Sequence, residues 1–328
     1  NGDFFINQRS FTSNTTNLSY NFDRWYQQQN GGTVTVTPQN FTPGTAPVSG
    51  YEGKTFCRVD VTGQSTTSNY ALLAQKIEDV RTFANQSVTI SFWAKSASGT
   101  PKIGVSCSQS FGSGGSPSAD VDSAGSAVTI STTWTRYTVN YTIPSISGKT
   151  IGTTANTSYL TTYFWLSAGS SNATQAGSIG IQTNTFDIWG IQIEAGSSAT
   201  SFQTATGTIQ GELAACQRYY YVHYRNEHWA NGQASSTSSA TAPILLPMEM
   251  RIAPTITLAT TGVSSGNINF LSSSLGWPST TGTITASAIT KHGFQLVGTG
   301  FTSSFTAGNS SLVYSSGTNN VYTASAEL

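Results

Sequence analysis

Val88-Thr89-Ile90-Ser91-Phe92-Trp93-Ala94-Lys95 is the stretch on which the reading of this chain turns. Val88, Ile90, Phe92 and Ala94 alternate with Thr89, Ser91, Trp93 and Lys95. A period of two is that of a β-strand, whose successive side chains point to opposite faces of a sheet. The aliphatic set is assigned to a core, and the strand reads as half-buried. The same period recurs in residues 55–61, where Cys57, Val59 and Val61 share a face, and in 135–143 with Tyr137, Val139, Tyr141 and Ile143. Residues 160–166 repeat it with Leu160, Phe164 and Leu166. In 185–194 the alternation changes phase, from Phe186 and Ile188 to Ile191 and Ile193, with Gly190 between them. One extra residue in a strand does this, so the pattern predicts a β-bulge at Gly190.

Composition supports an all-β reading of the whole chain. Ser and Thr make up about three of every ten residues, and β-branched Thr favours the pleated, half-buried environment of a strand. Glycine and serine clusters, such as residues 110–115 and 167–172, divide the chain into short segments. Many short strands with few helix signals predict an antiparallel jelly-roll-type β-sandwich over residues 1–205 and a second, smaller β domain over 206–328. The second domain begins with a connecting element. Leu213, Cys216 and Tyr220 fall at helical spacing within 210–221, while the aromatic run 218–224 has the β-propensity of a first strand. Beyond it, 230–242 reads as a small-residue loop, and strands are expected at 244–250, 255–258, 283–289, 294–297, 301–305 and 320–326.

Charge narrows the function classes. Only 9% of the 328 residues are charged, and 14 basic residues balance 14 acidic ones. Such a chain has no field to steer it to nucleic acid or an anionic membrane. It also lacks the long apolar run of a membrane-spanning helix. From Ile252 to Ala326 the one formally charged side chain is Lys291. Three well-separated cysteines, Cys57, Cys107 and Cys216, make a poor disulfide framework and read as small buried hydrophobes. A Cys57–Cys107 bridge requires neighbouring strands.

Catalytic groups are scarce. His223, Glu227 and His228 have the spacing His-x-x-x-Glu-His, which matches neither common zinc-protease pattern and reads as a polar-aromatic patch. Asp120 and Asp122 lie in a Ser/Gly-rich segment with oxygens of the type calcium takes, although paired carboxylates are common in solvated loops. Glu78 and Asp79, beside Lys76 and Arg81, read as a charged turn rather than as a glycosidase pair. No cofactor and no metal is expected, and the chain is read as not an enzyme.

The aromatic residues carry more. Trp93 faces away from the aliphatic set of its strand, Tyr159, Tyr163 and Trp165 face away from Leu160, Phe164 and Leu166, and Trp134 lies opposite Tyr137 and Val139. Trp93, Trp134, Tyr163 and Trp165 are therefore the carbohydrate-binding candidates. An aromatic ring supplies apolar area for a pyranose, and nearby Ser, Thr, Asn and Arg supply hydrogen bonds. Two plainer readings compete, packing under long loops or the second domain, and contact within a homotrimer.

Five motifs stand in order: Asn7-Gln8-Arg9, Asp23-Arg24-Trp25, Ser91-Phe92-Trp93-Ala94-Lys95, Gln192-Ile193-Glu194-Ala195-Gly196 with Ala199-Thr200-Ser201-Phe202, and Cys216-Gln217-Arg218-Tyr219-Tyr220. Met250-Arg251-Ile252-Ala253-Pro254 and the closing Ala324-Ser325-Ala326-Glu327-Leu328 extend the set. Together they resemble the carbohydrate-binding-module-like β-sandwich family of bacteriophage tail fibres and other virion surface proteins. The resemblance implies a structural protein of the virion surface, foremost a tail-fibre or receptor-binding segment that recognises host-surface polysaccharide. It implies homotrimers in contact with other virion proteins. A capsid decoration or head-fibre protein and a secreted carbohydrate-binding module are the alternatives. Arg9, Arg24 and Trp25 are expected to be framework, and Gln192, Glu194, Gln217 and Arg218 to make inter-strand or interdomain hydrogen bonds.

Overall fold

The computed structural model describes residues 1–224, 228–258, 268–272, 282–301, 305–315 and 321–328, with the backbone alone at positions 228 and 272. Two compact units divide it, Asn1–Glu212 with Leu328, and Leu213–Glu327.

Twelve strands build the first unit. They are β1 (Ser19–Tyr20), β2 (Trp25–Asn30), β3 (Thr33–Asn40), β4 (Thr55–Thr62), β5 (Tyr70–Ile77), β6 (Ser87–Ser96), β7 (Lys102–Ser110), β8 (Val121–Asp122), β9 (Ser126–Thr129), β10 (Thr135–Thr142), β11 (Tyr159–Ala168) and β12 (Asn184–Ala195). All pairings are antiparallel. One sheet of seven strands runs β1-β2-β5-β11-β7-β8, with β9 also on β7, and a second runs β10-β6-β12-β4-β3. The chain is an antiparallel jelly-roll-type β-sandwich in this unit, and a single core lies between its sheets. Val88, Ile90, Phe92 and Ala94 of β6 meet Leu160, Phe164 and Leu166 of β11 in that core, with Cys57, Val59 and Val61 of β4 and Val139 of β10.

The bulge stands where the phase change puts it. Pairing of β12 with β6 shifts between Trp189 and Gln192, Gly190 adopts φ +63, and Phe186, Ile188 and Ile191 all reach the core. Strand β6 departs from its half-buried reading. Thr89 and Ser91 are fully buried and Trp93 nearly so, because further chain covers its outer face. Cys57 and Cys107 lie on β4 and β7, in opposite sheets, as reduced buried thiols. Burial pushes the Cys107 thiol up to about 12 and the Cys57 thiol further.

The division between the units falls within helix α1 (Ile209–Gln217), later than residue 206. Thr206 explains the difference, since its amide and hydroxyl donate to the Glu212 carboxylate at 2.9 and 3.1 Å and tie the first turn to the preceding segment. The helix ends at Gln217, short of residue 221, and β13 (Tyr220–His223) follows. Both readings of this stretch hold in part, with helix first and strand second.

In the second unit β13 is joined by β14 (His228–Ser236), β15 (Ser239–Leu245), β16 (Thr255–Leu258), β17 (Asn269–Ser272), β18 (Thr283–Ser287), β19 (Gly293–Thr299), β20 (Ser310–Tyr314) and β21 (Tyr322–Ser325). They form sheets of order β13-β21-β16 and β17-β20-β14-β15-β19-β18 around one core. Residues 230–242 are no loop but the β14–β15 hairpin. Ala234, Ala240 and Ala242 are buried between polar neighbours, a period of two too faint in hydrophobicity to stand out. Strand β15, which includes Pro243, stops at Leu245, not at residue 250, because beyond it the Leu246 and Met250 amides donate to the His292 and Lys291 carbonyls ahead of β19 and not to a continuing ladder. Phe301 and Phe305 pack in the core outside any strand, and 302–304 lie outside the described residues. Arg251 is buried, and its Nε and Nη2 donate to the carbonyls of Ala326 and Glu327 at 2.9 and 3.1 Å, which brings the two C-terminal motifs together.

Candidate functional site

The four aromatic candidates stand on the two outer faces of the first unit's sandwich, two on each. Trp93 of β6 and Trp134, one residue ahead of β10, lie on the outer side of the five-stranded sheet in a cluster with Phe41, Phe56, Trp189 and Phe202. Trp93 and Trp189 are cross-strand neighbours with ring centroids 5.6 Å apart, and Phe202 lies 5.8 and 4.8 Å from them. The Arg136 guanidinium sits 4.6 Å over the Trp93 ring and donates to Ser91 Oγ and the Thr200 carbonyl. No ring face of Trp93 is left for a ligand, so packing is its role. Trp134 stays half-buried at the border, 5.4 Å from Phe41 and 5.3 Å from Phe56.

Gln192 and Glu194 close that cluster. Thr200 donates its amide and its hydroxyl to Glu194 Oε1 and Oε2 at 2.9 and 2.7 Å. Gln192 donates to the Thr200 hydroxyl and accepts from the Gln203 amide. Their bonds thus go to the segment that carries Phe202, instead of across strands or between domains. Burial raises the Glu194 carboxyl, but the Thr200 bonds, Gln192 and the Arg136 charge outweigh it and hold the group below the ordinary carboxylate range.

Tyr163 and Trp165 stand on the seven-stranded sheet. Trp165 is buried and donates from Nε1 to Ser106 Oγ at 2.9 Å. Register makes a continuous row across this face: Tyr20 opposite Tyr26, Tyr26 opposite Ala74, Ala74 opposite Tyr163, and Tyr163 opposite Ser106. A parallel row runs from Lys76 through Thr161 and Ser108 to Asp122. Tyr70 lies 5.7 Å from Trp165 and its hydroxyl accepts from Gln28, while Lys76 Nζ stands 4.6 Å over the Tyr159 ring. Tyr20, Tyr70, Tyr159 and Tyr163 are half-buried, so each keeps apolar area at the surface. Burial pushes the Tyr163 hydroxyl up to about 12 and Tyr26 beyond it. These phenols stay neutral, each both donor and acceptor.

The sequence reading placed Tyr159 and Tyr163 together on this face but did not reach Tyr20, Tyr26, Tyr70 or Lys76 as their partners. The alternation Trp25 in, Tyr26 out was legible; which strand lies beside which was not. Arg9 and Trp25 are framework: Arg9 pairs with Asp23 at 3.0 Å, and buried Trp25 donates to the Asn1 carbonyl. Arg24 donates to the Lys76 carbonyl. His223 is buried, stacked 5.1 Å from Tyr322 and 4.7 Å from Trp229. Glu227 and the His228 side chain lie outside the described residues. Among the described residues no three His, Cys, Asp or Glu side chains gather closely enough to hold a metal. Asp120 and Asp122 are exposed, and Asp79 pairs with Arg81 at 2.6 Å in an exposed turn.

No protein-family model matches this chain, and no curated protein matches it either. Among solved structures it is similar to the enzymatically active domain of bacteriophage CBA120 tailspike protein 4, with 16% identity, a TM-score of 0.32, 58% of this chain covered and 22% of that one. The chain thus spans about a fifth of that tailspike. It is similar to the family 11 carbohydrate-binding module from Clostridium thermocellum in complex with a β-1,3-1,4-mixed-linked tetrasaccharide, with 13% identity, a TM-score of 0.34, and 58% and 100% covered. For the CBM22-2 xylan-binding domain of Paenibacillus barcinonensis Xyn10C the values are 18%, 0.31, 54% and 94%. The fold stands on its own strand order and core.

Proposed function

We propose that this chain is a non-enzymatic structural protein of the bacteriophage virion surface, in its first role a tail-fibre or receptor-binding segment, and that it binds host-surface polysaccharide on the tyrosine face of the seven-stranded sheet. The observation that supports the glycan part is the group of half-buried tyrosines on this face, Tyr20, Tyr70, Tyr159 and Tyr163, set around the buried Tyr26 and Ala74, beside the polar row that runs from Lys76 to Asp122. Rings give a sugar chain apolar plates, and Lys76 and Asp122, at the two ends of a flanking row whose Thr161 and Ser108 are buried, give it a donor and an acceptor. The ordered motifs and the scarcity of charge support the virion-surface part.

The test is binding to an array of bacterial surface polysaccharides by the protein and by Tyr159→Ala and Tyr163→Ala. Truncating a stacked ring removes about 1–2 kcal/mol of contact, a five- to thirtyfold weakening. Each variant is expected to lose that much affinity while still unfolding in a cooperative transition, with a lower midpoint for Tyr163→Ala, whose ring packs beside Trp165. Glycan binding equal to that of the parent in both variants would overturn the site.

A further inference from the structure

The opposite face of the same sandwich carries an open cavity of different chemistry. On the five-stranded sheet Lys95 of β6 stands opposite Asp187 of β12, and Asp187 opposite Arg58 of β4. Arg58 holds Asp187 in a two-bond fork, Nε to Oδ1 at 2.7 Å and Nη2 to Oδ2 at 2.9 Å, and Lys95 Nζ is 3.5 Å from Oδ2. Asp60 lies opposite Thr185 and accepts from its hydroxyl. With Thr132 these side chains line an open cavity of about 360 Å³.

An inter-strand ion pair alone would need one cation for Asp187. Here two converge on it, and each keeps about a third of its side chain exposed, 34% for Arg58 and 31% for Lys95, while Asp187 keeps 5%. Two cations and two carboxylates cancel, so the cavity favours neither an anion nor a cation. What it offers is charged donors alternating with charged acceptors at neighbouring positions. A hydroxyl is both donor and acceptor, so a vicinal diol satisfies such a set from both sides. The volume admits a single pyranose ring with its water. Trp134, with Lys95 Nζ 5.4 Å over its ring, supplies apolar surface nearby.

We propose that this cavity is a second carbohydrate subsite, taking one neutral hexopyranose residue through a vicinal diol held by Lys95 and Arg58 as donors and by Asp60 as acceptor, with the buried Asp187 holding the two cations in place. It belongs to the same ligand class as the tyrosine face but rests on different residues, so either site can fail without the other.

Saturation-transfer NMR with methyl α-mannopyranoside, methyl β-galactopyranoside, methyl β-glucopyranoside and methyl β-glucuronide tests it. The protein is compared with Tyr159→Ala/Tyr163→Ala, Lys95→Met and Asp60→Asn. Lys95 and Asp60 stand at the surface, and an unfolding midpoint for each variant reports its fold. Transfer to at least one neutral hexoside is expected, retained in the tyrosine variant and reduced about fivefold in Lys95→Met and in Asp60→Asn, as the loss of one charge-assisted hydrogen bond of roughly 1 kcal/mol requires. No transfer to any neutral hexoside overturns the subsite. So does transfer abolished by the tyrosine substitutions, undiminished in both folded charge variants, or stronger for the glucuronide, which would mark an anion site.

Discussion

Glu194 shows how one side chain keeps an aromatic cluster shut. Its carboxylate accepts from the amide and hydroxyl of Thr200, and Thr200 stands two residues from the Phe202 ring that covers Trp93 and Trp189. A carboxyl whose folded pKa lies below its unfolded value, ordinarily about 4.3 for Glu, contributes stability that is present above the unfolded value and lost as pH falls through the folded one. Acid, not base, should therefore loosen this segment. Comparing the thermal midpoint of the protein with that of Glu194→Gln, the parent's advantage is expected at neutral pH and should shrink below pH of about 4. An advantage independent of pH would show that the carboxylate charge is not what holds Thr200. The residues of this clamp are plain in the sequence as Gln192-Ile193-Glu194 and Ala199-Thr200-Ser201-Phe202. That they bond to one another is not, because a polar side chain does not name its partner.

At the scale of the element, strand β12 turns on one glycine. Gly190 sits at φ +63, where side chains are strained, and a Cβ there would lie 2.7 Å from Cε3 of Trp93. The bulge moves the inward set from Phe186 and Ile188 to Ile191, so Trp189 and Gln192 both serve the outer face. Gly190→Ala meets both penalties, backbone and steric, and should cost about 2–3 kcal/mol in urea unfolding. A cost under about 0.5 kcal/mol would mean that Trp93 yields or the bulge relocates. This element was legible in advance since a phase change in a strong alternation has one cheap physical solution. The β14–β15 hairpin was not, because alternation of alanine with serine and threonine scarcely differs from the composition of a loop.

For the molecule as a whole, charge sets the terms of association. With 14 basic and 14 acidic residues and 9% charged overall, contacts made by this protein depend little on long-range fields and resist screening. If the protein belongs to a phage particle, it should remain there through washes from low salt to about 1 M NaCl, where the Debye length falls to about 3 Å. Cryo-electron microscopy of washed particles would then place its density. Density at the tail supports the fibre reading and density on the capsid lattice supports decoration, whereas release by salt would contradict both. By itself the sequence determined the β class, the inward faces of β4, β6, β10 and β11 and the bulge in β12, since backbone periodicity and burial are local and repeat every two residues. Tertiary structure alone decided which outward aromatics are open. Trp93 and Trp165 looked equivalent to Tyr163 along the chain. Only packing of residues distant in sequence, Phe202 and Arg136 on one face and Ser106 and Tyr70 on the other, buried the first two and left Tyr163 half-buried with part of its ring at the surface.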